Sequence, residues 1–242
     1  MSDNRTFSGG YNTYGAGLGV MMLDTTFPRP PGDVGNATTF DYPVFYETID
    51  GADPVRVVRE QDPDLLEPFV AGAENLVDRG AVAITTGCGF LLMFQEELAE
   101  RIPEVPLFTS SLLQIPAVKS MLGSDQQIGI LSADEGRLDA IDHPVLTRNE
   151  SRLVYEGVAD SGPFQETVIE QTNPELDLDA VGADVVAAAE RLVEGENVRA
   201  IIFECTNLRP YVDEVQEATG LPVFDYLTLS NMAWSAANGT RF

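Results

Sequence analysis

The chain has 242 residues, 44% of them hydrophobic, with 39 acidic against 14 basic residues and a formal net charge of −25. That is enough apolar sequence for one large or two small globular domains, and a field of this sign disfavours nucleic acid and anionic membrane surfaces as partners. The acids are spread along the chain and Lys119 is its one lysine, a balance suited to a halophile's cytoplasm, where molar salt screens the self-repulsion of a hydrated anionic surface.

Taken in order, MSDNRTFSGG lacks the basic-then-apolar pattern of a secretory signal. No uninterrupted apolar run approaches a membrane span, so a cytoplasmic protein is expected. Residues 1 to 13 are polar and expected to fray. LGVMMLD (18 to 24) reads as a buried parallel strand. The Pro- and Gly-rich loop after it runs to Pro43, and a connection of that length usually serves function or forms a lid. PVFYETI and VRVV are weaker strand candidates, and the spacing from Leu65 to Arg79 predicts a helix stopped by Gly80. AVAITTG is a central strand, Cys88 sits at the turn, and a helix from about Phe90 ends before Pro103. VPLF is the next strand and SSLLQIPAVKSML the next helix. The second half restarts at IGILSADE and continues with the strand RLVYEGV, a helix from about Ala180 to Glu194, and the strand VRAIIF. The Cys205 turn follows, then a helix to about Ala218, the strand LPVF and a closing helix in TLSNMAWSAANG. Met21, Met22 and Trp234 are most simply core.

The two halves repeat one another. AENLV (73 to 77) precedes Cys88 as AERLV (189 to 193) precedes Cys205, and the cysteines lie 117 positions apart while the alanine-glutamate steps lie 116 apart. VPLF and LPVF follow at the same offset of 116, and LGVMMLDT parallels IGILSADE. A shared order of elements points to duplication. The expected fold class is α/β: two pseudo-symmetric α/β lobes with parallel sheets and the active site in the cleft between them, at the carboxyl ends of the strands. The first lobe is expected to take residues 1–110 plus 228–242, and the second 111–227.

Each cysteine sits at a strand-to-helix turn, where unpaired backbone N–H groups and the helix dipole favour a thiolate. Flanking Gly87 and Gly89 permit close approach to the backbone, and Thr206 and Asn207 can donate to an anion. A cysteine near a core strand is often only a small buried hydrophobe. Two at equivalent strand ends fit a pair that removes a proton from one face of a carbon and delivers it to the other. A disulfide redox pair is disfavoured because the close Cys-X-X-Cys spacing is absent. With two cysteines and one histidine the chain has no recognised zinc spacing, so no structural metal is expected. His143 reads as a loop residue rather than a base, and Asp24 as either a ligand contact or a loop cap.

From about residue 15 to 235 these residues resemble the aspartate/glutamate racemase superfamily of cofactor-independent enzymes. LDT (23 to 25) is similar to the motif after that family's first strand, TTGCGF (85 to 90) to its first cysteine motif and ECTNL (204 to 208) to its second. The continuation from CTNLRP toward GLPVFD looks like the maleate isomerase and arylmalonate decarboxylase branch. The resemblance implies Cys88 and Cys205 as the acid/base pair. It implies substrate contacts at Asp24, Thr25, Thr86, Gly87, Gly89, Ser132, Thr206 and Asn207. Gly-Phe and Thr-Asn after the two cysteines depart from glutamate racemases, and a pair of cysteines departs from arylmalonate decarboxylases, which keep one. The expected function is therefore a racemase or epimerase of a small carboxylate or hydantoin-like compound. A maleate-type cis-trans isomerase with a cysteine nucleophile and a noncatalytic small-acid binding protein are the alternatives. The expected partner is the small-molecule substrate, with a homodimer allowed.

Overall fold

The structure is a computed structural model and describes residues 10, 15, 17–138, 140–146, 151–158, 162–194 and 197–238. Apart from residue 10, the frayed start expected over residues 1 to 13 lies outside the described residues.

The first half contains β1 (Leu18–Leu23), β2 (Val44–Ile49), α1 (Leu66–Asp78), β3 (Ala83–Thr86), α2 (Gln95–Arg101), β4 (Leu107–Phe108) and α3 (Ile115–Met121). The second contains β5 (Gln127–Ser132), α4 (Glu135–Leu138), β6 (Leu153–Gly157), α5 (Leu178–Val193), β7 (Val198–Phe203), α6 (Val212–Thr219), β8 (Val223–Phe224) and α7 (Tyr226–Asn238). Each half builds one four-stranded parallel sheet, in the orders β2-β1-β3-β4 and β6-β5-β7-β8. The two orders are the same permutation, as a duplicated unit requires. All six strand pairings are parallel, so two covered α/β layers replace any open sheet face.

The repeated motifs have a packing cause. A Cβ on Gly19 of β1 would lie 3.0 Å from Leu76 Cδ1, and one on Gly129 of β5 would lie 2.7 Å from Leu192 Cδ2. Leu76 and Leu192 are the leucines of AENLV and AERLV, so in both halves a helix leucine seats directly on a central-strand glycine. Larger residues there would force helix and sheet apart.

The opposite sheet faces are covered by exchange. Ile115 and Val118 of α3 join the core that includes Ile128, Ile130, Ala200 and Ile202 of the second sheet. Tyr226 and Leu229 of α7 join Leu18, Val20 and Ala83 of the first. Each half thus lends a helix to the other, and fully burying such side chains stabilises by roughly 1.5–3 kcal/mol apiece.

One local expectation is corrected. VRVV is not a strand: Val55–Glu60 forms a π-helical turn that buries Val57 and Val58. Asp53 Oδ1 accepts from the Val55 and Arg56 N–H groups at 2.8 and 3.1 Å. An acid followed by proline is a helix-start signal, and here it outweighs the β-branched run. Among the described residues, no helix is long and apolar enough to cross a membrane.

Candidate active site

Both cysteine turns are built alike. After β3, the Gly87 N–H donates to Met21 O at 2.7 Å; after β7, the Glu204 N–H donates to Leu131 O at 2.8 Å. The chain then leaves the sheet at an extended Cys88 or Cys205 and enters a 3-10 turn, Gly89–Phe94 or Thr206–Tyr211. Each cysteine carbonyl accepts from the N–H three residues on, Leu91 or Leu208, at 3.2 Å in both. Equivalent positions thus carry a glycine in one half and a glutamate in the other.

Both thiols are free and line one small cavity of about 420 Å³ of space between atoms, its mouth included. Thr25, Gly87, Gly89 and Asn207 share that lining, together with the apolar Leu23, Val58 and Phe90. Asp24, Thr86, Ser132 and Thr206 stand outside it. Asp24 is exposed. Buried Thr86 donates to Thr109 O at 2.6 Å, Ser132 to Glu204 Oε2 at 2.8 Å, and Thr206 to Gly87 O at 2.8 Å. His143 lies away from the cavity and accepts from the Val145 N–H at 3.2 Å.

The long loop after β1 is folded across both halves. Phe27, Val34 and Phe40 are buried in it. Arg29 stacks over the Phe27 ring at 4.3 Å, donates to Thr25 Oγ1 at 2.8 Å, and pairs with buried Asp33 at 2.7 Å. Asp33 Oδ2 accepts from Asn207 Nδ2 at 2.7 Å, and the Asn207 amide oxygen lies 3.5 Å from Cys205 Sγ. A continuous polar chain therefore runs from the first-half loop to the second-half thiol. Tyr226 adds a hydroxyl bond to Gly32 O at 2.7 Å.

The electrostatics differ from the expectation of low thiol pKa values. Burial, then the nearby Glu204 carboxylate, pushes Cys88 up to about 12. Burial again leads at Cys205, which rises well above its ordinary value, with Glu204 and Cys88 adding to the effect. The turn N–H groups of Phe90 and Leu91 act on Cys88, and that of Asn207 on Cys205, in the lowering direction. They lose because desolvation of a buried anion exceeds what short 3-10 turns return. Resting thiols are neutral.

Arg29 and Glu204 were not foreseen as site residues. Both line the cavity, and Glu204 is 1% exposed with Oε1 lacking a hydrogen-bond partner. Burial raises its carboxyl to about 7, against the lowering effect of Ser132 and the Ala133 N–H. A Cβ on Gly89 would lie 2.3 Å from both Glu204 O and Oε1, so only glycine fits beside it. An acid inside ECTNL, directly after an apolar strand, was the available signal, since a charge there is either paired or functional.

No protein-family model matches the sequence. Solved structures similar to it share the fold at low identity. Unliganded arylmalonate decarboxylase has a TM-score of 0.63 at 15% identity, covering 94% of each chain. Picrophilus torridus aspartate racemase scores 0.59 at 14%, covering 92% of each. The glutamate racemase of Francisella tularensis in complex with D-glutamate scores 0.55 at 14%, covering 92% of this chain and 81% of that one.

Sequence relatives point elsewhere. The chain is 34% identical over 87% of its length to a dimethylsulfoniopropionate lyase of Durusdinium sp. clade D, and covers 71% of it. It is 34% identical over 93% of its length to dimethylsulfoniopropionate lyase 3 of Emiliania huxleyi, covering 61%, and 32% identical over 88% to lyase 7 of that organism, covering 65%. The chain thus spans between 61% and 71% of the length of these relatives.

These relatives overturn the expected racemase or epimerase, together with the maleate-type isomerase and small-acid binding alternatives. The cysteine turns that carried those expectations belong to a fold shared by enzymes of different reactions, so they identify the cleft rather than its chemistry. By relatedness across most of its length, on a two-lobed fold like that of arylmalonate decarboxylase and aspartate racemase, the chain belongs to the dimethylsulfoniopropionate lyase family.

Proposed function

We propose that this chain is a lyase that cleaves dimethylsulfoniopropionate into dimethyl sulfide and acrylate. The observation that carries this reading is the 34% identity to a lyase of that name over 87% of the chain. The substrate is small and zwitterionic, a carboxylate and a dimethylsulfonium separated by two methylenes.

The reaction is a β-elimination. One thiolate, Cys88 or Cys205, takes a proton from the carbon next to the carboxylate. The C–H electron pair becomes the second bond of the alkene, and the C–S bond breaks with its pair remaining on sulfur. Neutral dimethyl sulfide and acrylate result, and the proton on the thiol is released before the next turnover. Both thiols begin protonated because of burial and Glu204. A sulfonium beside them supplies the positive charge that favours a thiolate, so the base forms where its substrate is bound. The N–H groups of Phe90, Leu91 and Asn207 steady the sulfur anion. Thr25, Gly87, Gly89 and Asn207 would contact substrate, and Thr86, Ser132 and Thr206 would hold the turns that do.

Supplying dimethylsulfoniopropionate to the purified chain, from neutral to alkaline pH and from low to molar salt, tests the reading. Dimethyl sulfide in the headspace and acrylate in solution are expected in equal amounts. Absence of both throughout that range overturns it.

A further inference from the structure

The two halves match position for position at their cysteine turns except just before the cysteine, where Gly87 stands opposite Glu204. The Gly87 and Glu204 N–H groups make equivalent bonds to the neighbouring strand, so the exchange changes the side chain and not the backbone. Its consequence is a buried carboxyl in the cavity wall, with one oxygen held by Ser132 and the other without a hydrogen-bond partner.

A carboxyl in that position needs a reason. Burying an unpaired acid costs stability, and glycine at the equivalent place shows that the turn forms without it. Arg29 lines the same cavity and could have neutralised it, yet no ion pair or hydrogen bond joins Arg29 to Glu204 among the described residues. Arg29 is instead fixed by Asp33 and Thr25, which use two of its five donors. A cation and an anion therefore line one cavity while remaining unpaired with each other.

We infer that Glu204 and Arg29 form a two-pole recognition site for zwitterionic onium carboxylates, Glu204 Oε1 facing the onium group and the Arg29 fork the carboxylate. A methylated sulfonium or ammonium has no N–H or O–H to donate, so it is recognised by charge and by aromatic faces rather than by hydrogen bonds. An oxygen without a donor suits it, and Phe27 and Phe90 supply rings in the same wall. Carboxylates of the same shape with an uncharged group in place of the onium would leave Glu204 buried and uncompensated. The site thus selects against them as well as for the zwitterion.

The identity of the natural ligand rests on the proposed lyase reading, but the recognition can be tested with ligands that do not react. Three probes suffice: the trimethylammonio analogue of propionate, the isostere that keeps its carboxylate but carries a tert-butyl group in place of the ammonium, and the amide of the first, which lacks the carboxylate. Calorimetric titration of the full chain, at a pH where Glu204 is ionised, is expected to give the ammonio-propionate an affinity about tenfold or more above each of the others. Glu204→Gln keeps the shape and the Ser132 contact, and is expected to bring the ammonio and tert-butyl compounds to near parity. Equal affinities in the unsubstituted chain, or a preference that survives Glu204→Gln, would overturn the assignment. A chain that prefers the ammonio-propionate but releases no dimethyl sulfide would sink the lyase reading and leave this assignment standing.

Discussion

The Thr206 hydroxyl donates to the Gly87 carbonyl oxygen at 2.8 Å, tying the turn that carries one cysteine to the turn that carries the other. The residues are 119 positions apart in sequence. A second tie runs alongside, from Ser111 Oγ to Phe203 O at 2.5 Å. Because both bonds run from a hydroxyl of one half to a backbone carbonyl of the other, the spacing of the thiols is fixed without the sulfurs themselves. That rigidity is what a pair of groups acting on one small molecule requires.

Removing the first tie should therefore be felt in stability. Thr206→Val keeps the shape but leaves the buried Gly87 carbonyl without its donor, at a cost of about 1–3 kcal/mol. Thermal melts should fall by several degrees, and Thr206→Ser should recover most of the loss. A valine variant that melts with the unsubstituted chain would show that the bond is not formed.

Gly89→Ala makes a separate demand. Its methyl would enter within 2.3 Å of the Glu204 backbone and carboxylate oxygens, so one turn must move. Overpacking of this kind costs about 1–3 kcal/mol, and the displacement alters the cavity between the thiols. Dimethyl sulfide production should fall by more than the melting temperature would suggest. Full activity in a folded Gly89→Ala chain would contradict the packing described.

The buried acid gives a pH signature. Burial raises the Glu204 carboxyl from 4.5 to about 7, so the folded chain keeps a proton that the unfolded chain releases earlier. Stability is present in full below the ordinary carboxyl range and is lost as pH rises toward 7, on the order of 3 kcal/mol in total. Glu204→Gln carries no such proton. Denaturant titrations across that window should show the unsubstituted chain losing stability relative to the variant as pH rises, with the difference levelling above about 7. A constant difference would mean that the carboxyl is solvated.

Much of this architecture was legible because the determinants are local. The glycine of LGV and the leucine of AENLV recur as Gly129 and Leu192, and one contact explains both copies. Cysteines directly after apolar strands located the cleft. The rest depended on folding at a distance. Arg29 reads as a loop charge until Asp33, Asn207 and Tyr226 fix the loop across the second half. Helix-dipole reasoning implied acidic thiols, but the amount of burial, which outweighs the dipole, is set by packing from the whole chain. The proposed reaction was hidden for a different reason: β-elimination and racemisation both begin with removal of a proton beside a carboxylate, and the leaving group belongs to the substrate.

The net charge of −25 yields a prediction independent of the site. At about 0.1 M salt charges interact over roughly 10 Å, and at 1 M over about 3 Å, so self-repulsion fades as salt rises. Melting temperature should climb steadily with potassium chloride into the molar range. A flat or falling profile would remove the reading of the acidic surface as an adaptation to salt.

The central claim is that a cysteine of this cleft, Cys88 or Cys205, serves as the base of an elimination. Headspace dimethyl sulfide measured for the unsubstituted chain, Cys88→Ser and Cys205→Ser, with dimethylsulfoniopropionate in excess, tests it most directly. The unsubstituted chain should release dimethyl sulfide, and at least one serine variant should lose about 100-fold or more, the range for a missing acid or base, with its circular dichroism unchanged. A silent unsubstituted chain, or two serine variants that turn over at its full rate, would contradict it.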